Sequence, residues 1–283
     1  MMSRLSASLR ILCAVCAITA CDVKVGENGL SVDVAHGNAA DEWKRTYHVT
    51  PGGLVDVQNV SGLLIAEPAG GPDVEVVATR EVRASSDAAA REVLQKAEMI
   101  EQVSPDRVSI ESRTNQENGL RSRLTVQITV RVPDGIRLTL KTRDGGVRLE
   151  GITSEVTAST VNGPITGHDI SGAVTADTVN GPVRIDISKV TGDSRFTTVN
   201  GPVDLGLAPD LNASLEASVV NGAVMIDNDL TIAKKESTVQ RVTGQINGGG
   251  PRIVAQTTNG AVHVRSGKLP ERGGRRRRGA PPS

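Results

Sequence analysis

One phrase recurs through the second half of this chain. It reads Thr160-Val161-Asn162-Gly163-Pro164, Thr178-Val179-Asn180-Gly181-Pro182 and Thr198-Val199-Asn200-Gly201-Pro202. Weaker copies follow at Val219-Val220-Asn221-Gly222-Ala223 and Thr257-Thr258-Asn259-Gly260-Ala261, and a degenerate one precedes them at Thr142-Arg143-Asp144-Gly145-Gly146. From Asp144 through Asn162, Asn180, Asn200 and Asn221 to Asn259 the steps are 18, 18, 20, 21 and 38 residues, the last close to two periods. A period near twenty with one punctuation mark per period is the signature of a repeat architecture.

Asn-Gly between β-branched residues ordinarily marks a two-residue hairpin, but Pro164, Pro182 and Pro202 cannot supply the N–H that closes such a turn. The same letters suit a corner, with Asn in the left-handed region, a permissive Gly, and Pro opening the next strand. A second corner falls at Gly151, Ser171-Gly172 and Thr191-Gly192. The segments between corners are short and rich in Val, Ile and Thr, alternating with the period of two of a half-buried strand. The expected fold is therefore all-β. It is a single-stranded β-solenoid, β-helix-like, with coils of about twenty residues, plus one short capping α-helix.

Coils stacked at about 4.8 Å would rise about 25–30 Å over six copies. Stacking in register would place Asp144, Asn162, Asn180, Asn200, Asn221 and Asn259 in a corner ladder of side-chain amides. Val161, Val179 and Val199 would form one interior row, and Ile165, Val183 and Val203 another.

The N-terminus reads differently. Arg4 and Arg10 precede an apolar run at 11–20 that is too short to span a bilayer as a stable helix. It ends Ile18-Thr19-Ala20-Cys21, which resembles the bacterial lipoprotein signal, with Cys21 the lipidated residue and the membrane a partner through that anchor. An ordinary secretory signal is the alternative. Cys13 and Cys16 form a C-x-x-C, but both would leave with the signal, so the mature chain would lack a disulfide. Asp22 resembles an inner-membrane retention signal, which weakly favours the periplasmic side of the inner membrane over the cell surface.

Residues 1–20 are thus expected to be signal peptide and 21–44 a tether. Residues 45–132 read as an N-terminal β-rich segment that includes a capping helix at 87–102, with Val93, Leu94, Ala97 and Ile100 as its apolar stripe. Residues 133–265 read as the Asn-Gly solenoid, preceded by a polar loop at 112–122, and 266–283 as a disordered basic tail.

The sequence carries no Walker loop, zincin helix, nucleophile elbow or Cys/His zinc spacing. Gly192-Asp193-Ser194 has the look of an esterase block, but no partner motif lies downstream. His36, His48, His168 and His263 are scattered and read as surface residues. Carbohydrate-active solenoids want clustered carboxylates and aromatic platforms, whereas the aromatics here are Trp43, Tyr47 and Phe196 alone. Lys plus Arg equals Asp plus Glu at 32 each, and the one basic run is 272–278, so nucleic acid is not an expected partner. No cofactor and no metal is expected.

The residues Pro51-Gly52-Gly53, Val57-Gln58-Asn59-Val60-Ser61-Gly62, the Thr-Val-Asn-Gly copies at 160, 178 and 198, and Gly248-Gly249-Gly250 to Thr258-Asn259-Gly260 carry a resemblance. Over roughly 45–265 the chain resembles the bacterial "putative adhesin" group of β-strand-repeat domains of unknown function. The resemblance implies a β-solenoid at the cell envelope and brings no catalytic residues. The leading expectation is a non-enzymatic, lipid-anchored envelope protein presenting a surface to a protein or glycan. A periplasmic scaffold or envelope-stress accessory is the alternative, and a polysaccharide-active enzyme a distant third.

Overall fold

The computed structural model describes residues 21–26, 29–34, 37–114 and 123–269. The expected signal peptide, His36, most of the polar loop and most of the basic tail lie outside them.

β1 (Cys21–Gly26) and β2 (Gly29–Val34) form an antiparallel hairpin. β3 (Gly37–Tyr47) follows, then β4 (Leu54–Ser61), β5 (Leu64–Pro68), β6 (Val74–Ala84), α1 (Asp87–Gln95), β7 (Ala97–Ser104), β8 (Arg107–Thr114) and β9 (Arg123–Val132). The repeats supply β10 (Arg137–Asp144), β11 (Val147–Glu150), β12 (Val156–Asn162), β13 (Ile165–Ile170), β14 (Val174–Asn180), β15 (Val183–Ile187), β16 (Ser194–Asn200) and β17 (Val203–Leu207). The chain ends with β18 (Ala213–Asn221), β19 (Val224–Ile226), β20 (Ile232–Ser237), β21 (Arg241–Ile246), β22 (Arg252–Asn259) and β23 (Val262–Ser266).

Each coil places one strand in an 11-stranded sheet and the next in a 10-stranded sheet, so a coil is a rung shared by both. Successive rungs pair in parallel, with Thr142, Thr160 and Thr178 in one row and Val147, Ile165, Val183 and Val203 in another. The core is one continuous column between the sheets. In the larger sheet Leu140, Ala158, Ala176, Phe196, Ala255 and Ala217 make one inward row, largely of small residues. In the smaller sheet Leu149, Ile185, Leu205 and Val264 supply bulk to the same core. Small opposite large is how two sheets a fixed distance apart fill the space between them.

The stacking order departs from chain order at both ends. Along the stack the rungs run β8–β9, β4–β5, β10–β11, β12–β13, β14–β15, β16–β17, β22–β23, β18–β19. The first two rungs of the chain have changed places, and so have the last two. Asn259 therefore lies between Asn200 and Asn221 rather than beyond Asn221. Both sheets also run without a break from β4–β5 and β8–β9 into β10–β11, so position 133 marks no structural boundary.

Antiparallel strands then cover the ends, except where β19 is left as the edge of the smaller sheet. β6 pairs with β9 and β3 with β6, β7 pairs with β8, and β21 and β20 pair outward from β18. Unpaired strand edges invite association, so such covers are physically expected.

Three local expectations are corrected. The tether assigned to 21–44 contains strands, and β3 pairs along its whole length with β6. The helix is shorter than 87–102. Ser86 caps it, its Oγ accepting from Ala89 N, but it stops at Gln95 and the chain turns at Lys96 into β7, which pairs with β8 from Ala97 to Ser104. Satisfying eight residues of backbone in a ladder outweighs one more turn of a helix with a single buried residue, Ala90. Finally, Val161, Val179 and Val199 face solvent, whereas Ile165, Val183 and Val203 are fully buried. Alternation runs from the buried Thr160, so its neighbour must point outward. The helix itself packs against β3, β6 and β7, at the N-terminal end of the stack.

Candidate binding surface

The repeated phrase can be taken letter by letter. The Thr hydroxyl is buried and donates to a glycine carbonyl of the neighbouring rung: Thr160 to Gly145 O at 2.7 Å, Thr178 to Gly163 O at 3.0 Å, Thr198 to Gly181 O at 2.8 Å and Thr257 to Gly201 O at 2.8 Å. The Asn side chain joins a ladder. Asn162 Nδ2 donates to Asp144 Oδ1 at 2.8 Å, Asn180 to Asn162 Oδ1 at 2.9 Å, and Asn200 to Asn180 Oδ1 at 2.8 Å. Asn259 then donates to Asn200 Oδ1, and Asn221 to Asn259 Oδ1, both at 2.8 Å. Every amide points the same way, and the carboxylate of Asp144 is the terminal acceptor. The Asn162 amide and the Arg143 guanidinium together hold the Asp144 carboxyl below the usual carboxylate range.

The Gly is needed for close approach. A Cβ on Gly163 would lie 2.1 Å from Gly145 O, and one on Gly181 2.0 Å from Gly163 O. The expected left-handed Asn is not found, because positive φ among described non-glycine residues is confined to Asp169 and Asn247. The proline carbonyl accepts across rungs, as in Ile165 N to Pro182 O at 3.0 Å, and its missing donor costs nothing there.

Only the Val has no such role. Val161, Val179 and Val199 are 41, 40 and 41% exposed and stand one above another beside the ladder, with Val220 more exposed further along. The edge of the stack is thus a line of solvent-facing methyl groups next to a line of amides.

A second feature lies on the outer face of the larger sheet near its C-terminal end. There a groove of about 650 Å³ is lined by residues that include Asp193, Glu216, Lys235, Thr243, Gln245 and Arg252. Glu216 accepts from Arg241 Nη2 at 3.1 Å and from Arg252 Nη2, and the Arg252 bond is the main reason its carboxyl is held low. These residues come from four separate strands and a loop, so no local motif announces them. The charge-bearing insertion around Lys235 is their nearest sequence signal.

A β-bulge after Gly167 aims His168 at the buried Asp186, Nδ1 to Oδ2 at 2.9 Å, while Asp186 Oδ1 accepts from Leu269 N at 2.7 Å. The spacing of the histidines in the sequence gives no hint of that pairing. Among the described residues no three His, Cys, Asp or Glu side chains converge on a metal position. The side chain of Cys21 lies outside what the structure describes.

The family profile of the Toastrack domain, DUF4097, matches residues 55–265. The chain belongs to the Toastrack family. That match runs from within β4 to within β23, one residue short of the rung array at each end, and leaves β1 to β3 outside. No curated protein sequence matches this Toastrack chain. Among solved structures it is similar to a putative cell adhesion protein from Clostridium sporogenes, with 11% identity, a TM-score of 0.45, and coverage of 80% of this chain and 100% of that one. A putative adhesin from Bacteroides fragilis gives 11% identity and a TM-score of 0.38, covering 80% and 97% of the two chains. A putative lipid binding protein from Parabacteroides distasonis gives 8% and 0.29, covering 80% and 96%.

Proposed function

We propose that this Toastrack protein is a non-enzymatic, lipid-anchored component of the bacterial cell envelope that binds an envelope protein or glycan along the edge of its stack. One observation carries the reading. Four letters of the repeated phrase serve the corner, and the fifth, at Val161, Val179 and Val199, is held out to solvent. A β-branched residue suits the strand, but Thr would suit it equally and would present a hydroxyl in place of one of the two methyls. The anchor part of the proposal rests on Ile18-Thr19-Ala20-Cys21 after a charged and apolar leader. More than one acyl chain on Cys21 makes a stable attachment.

The test replaces Val161, Val179 and Val199 together by Thr and measures retention on isolated envelope fractions. An unchanged melting temperature with lost retention is the expected result. Equal retention sinks the edge reading. Separately, Cys21→Ala should move the protein from the membrane to the soluble fraction, and a protein that stays membrane-bound removes the lipid anchor from the proposal.

A further inference from the structure

The groove on the outer face of the larger sheet has an uneven balance of hydrogen-bonding groups. Gly244 lines it with backbone alone, and a Cβ there would come within 2.7 Å of Ala233 O. Its acids are engaged except at one oxygen, Asp193 Oδ2. Glu216 accepts from Arg241 and Arg252 through its two oxygens, and Asp193 Oδ1 accepts from the Arg252 backbone N–H at 2.8 Å. Its donors are not. Lys235 is exposed and has no acceptor among the described residues, and the side chains of Thr243 and Gln245 are likewise without a partner. Arg252 commits one terminal nitrogen to Glu216 and keeps further N–H groups of its planar fork.

The surroundings add positive potential. Arg252, Arg241 and Arg195 all act on Glu216 and favour its charged form. Lys235 and the spare N–H groups of Arg252 therefore outnumber the one unpartnered carboxylate oxygen of the lining, Asp193 Oδ2, and favour a negative guest. Thr243, Gln245 and Ser214, whose Oγ donates to Gly250 O at 3.1 Å and is left as an acceptor, share the wall with the two cations. A compact inorganic ion would reach the cations but leave the rest of an open groove of about 650 Å³ empty. A guest carrying one carboxylate and several hydroxyls would use all of it. No Trp, Tyr or Phe is among the lining residues, so selection here works by hydrogen bonds and charge rather than by ring stacking.

We infer that this groove is a binding site for an acidic saccharide, its carboxylate held by Lys235 and Arg252 and its hydroxyls by Thr243, Gln245 and Ser214. The inference does not depend on the valine edge, which lies at the corner of the stack and shares no residue with the groove.

The full-length protein is titrated with a galacturonate trimer, with maltotriose as the neutral trimer, and with inorganic phosphate. Backbone amide shifts at Gly244 and Gly250 locate the site. The acidic trimer should bind at the groove at least about tenfold more tightly than maltotriose, and added salt should weaken it. Lys235→Gln should weaken the acidic trimer by about tenfold with an unchanged melting temperature, while Lys235→Arg should retain it. Equal binding of maltotriose, shifts confined to other residues, or an unaffected Lys235→Gln protein would each overturn the inference. So would phosphate binding as tightly as the trimer, which would leave an unselective anion site.

Discussion

Asn259 donates its side-chain amide to Asn200 at 2.8 Å, although 59 residues separate them and Asn221, the intervening copy of the repeat, lies on the far side of Asn259. The ladder is continuous in space while the chain is not. Each interior Asn therefore takes part in two rung-to-rung bonds, and Asn221, at the end, takes part in one.

That difference is measurable. Asn180→Ala removes the bonds to Asn162 and Asn200, whereas Asn221→Ala removes only the bond to Asn259. The ladder is exposed, so each bond is worth about 0.5–1 kcal/mol. Denaturant unfolding should show Asn180→Ala losing about twice what Asn221→Ala loses. Equal losses would mean that the amides shape single corners and do not act along the line.

Gly181 has no room for a side chain, since a Cβ would sit 2.0 Å from Gly163 O. Gly181→Ala should cost about 4 kcal/mol or more, because backbone of two rungs has to move apart. Gly70→Ala, where nothing lies within 4 Å, should stay within about 0.5 kcal/mol of the parent. A mild effect at Gly181 would show that the corner can relax.

Phe196 is the one fully buried aromatic side chain among the described residues and stands in a row of alanines. Its neighbours are too small to collapse into the space it fills. Phe196→Ala should therefore cost about 3–5 kcal/mol, and Phe196→Leu much less. Thermal or denaturant melts of the two variants decide it.

The Glu216 carboxyl is held low, chiefly by its bond to Arg252. A depressed carboxylate stabilises the fold fully above its unfolded value of about 4.3 and loses that contribution as pH falls through the lower folded value. Glu216→Gln should thus be less stable than the parent at pH 7, with the gap closing below about pH 4. A gap that stays constant down to pH 2 would mean that the pair with Arg252 does not carry the difference.

How far the letters alone lead depends on what they have to distinguish. Thr160, Asn162 and Gly163 recur with the coil, so rung length and the place of the corner were legible. The order of the outer rungs was not. Val203, Val262 and Val224 offer the same inward or edge-facing apolar group to the next layer, so neither composition nor spacing says which two should touch. In-register stacking predicts that Val161, Val179 and Val199 share a row but not which way the row faces, and alternation from the buried Thr160 turns it outward. The overlong helix has a similar origin. The stripe Val93, Leu94, Ala97, Ile100 fits a helix, and only the partner strand β8 reveals that its second half is extended. The groove was invisible because Glu216, Lys235, Thr243 and Arg252 meet only after the last two rungs have exchanged places.

That exchange bears on how the molecule can come apart. In a stack laid down in order, the terminal coil is the outermost layer and can fray without disturbing the rest. Here the last coil, β22–β23, is an inner layer, gripped on one side by β16–β17 and on the other by β18–β19. Losing it would split the stack rather than shorten it. The outermost layer cannot find its seat until the final stretch of chain has been delivered. A chain delivered N-terminus first would complete this fold only once β22–β23 had arrived, with β4–β5 and β22–β23 both locked inside the stack.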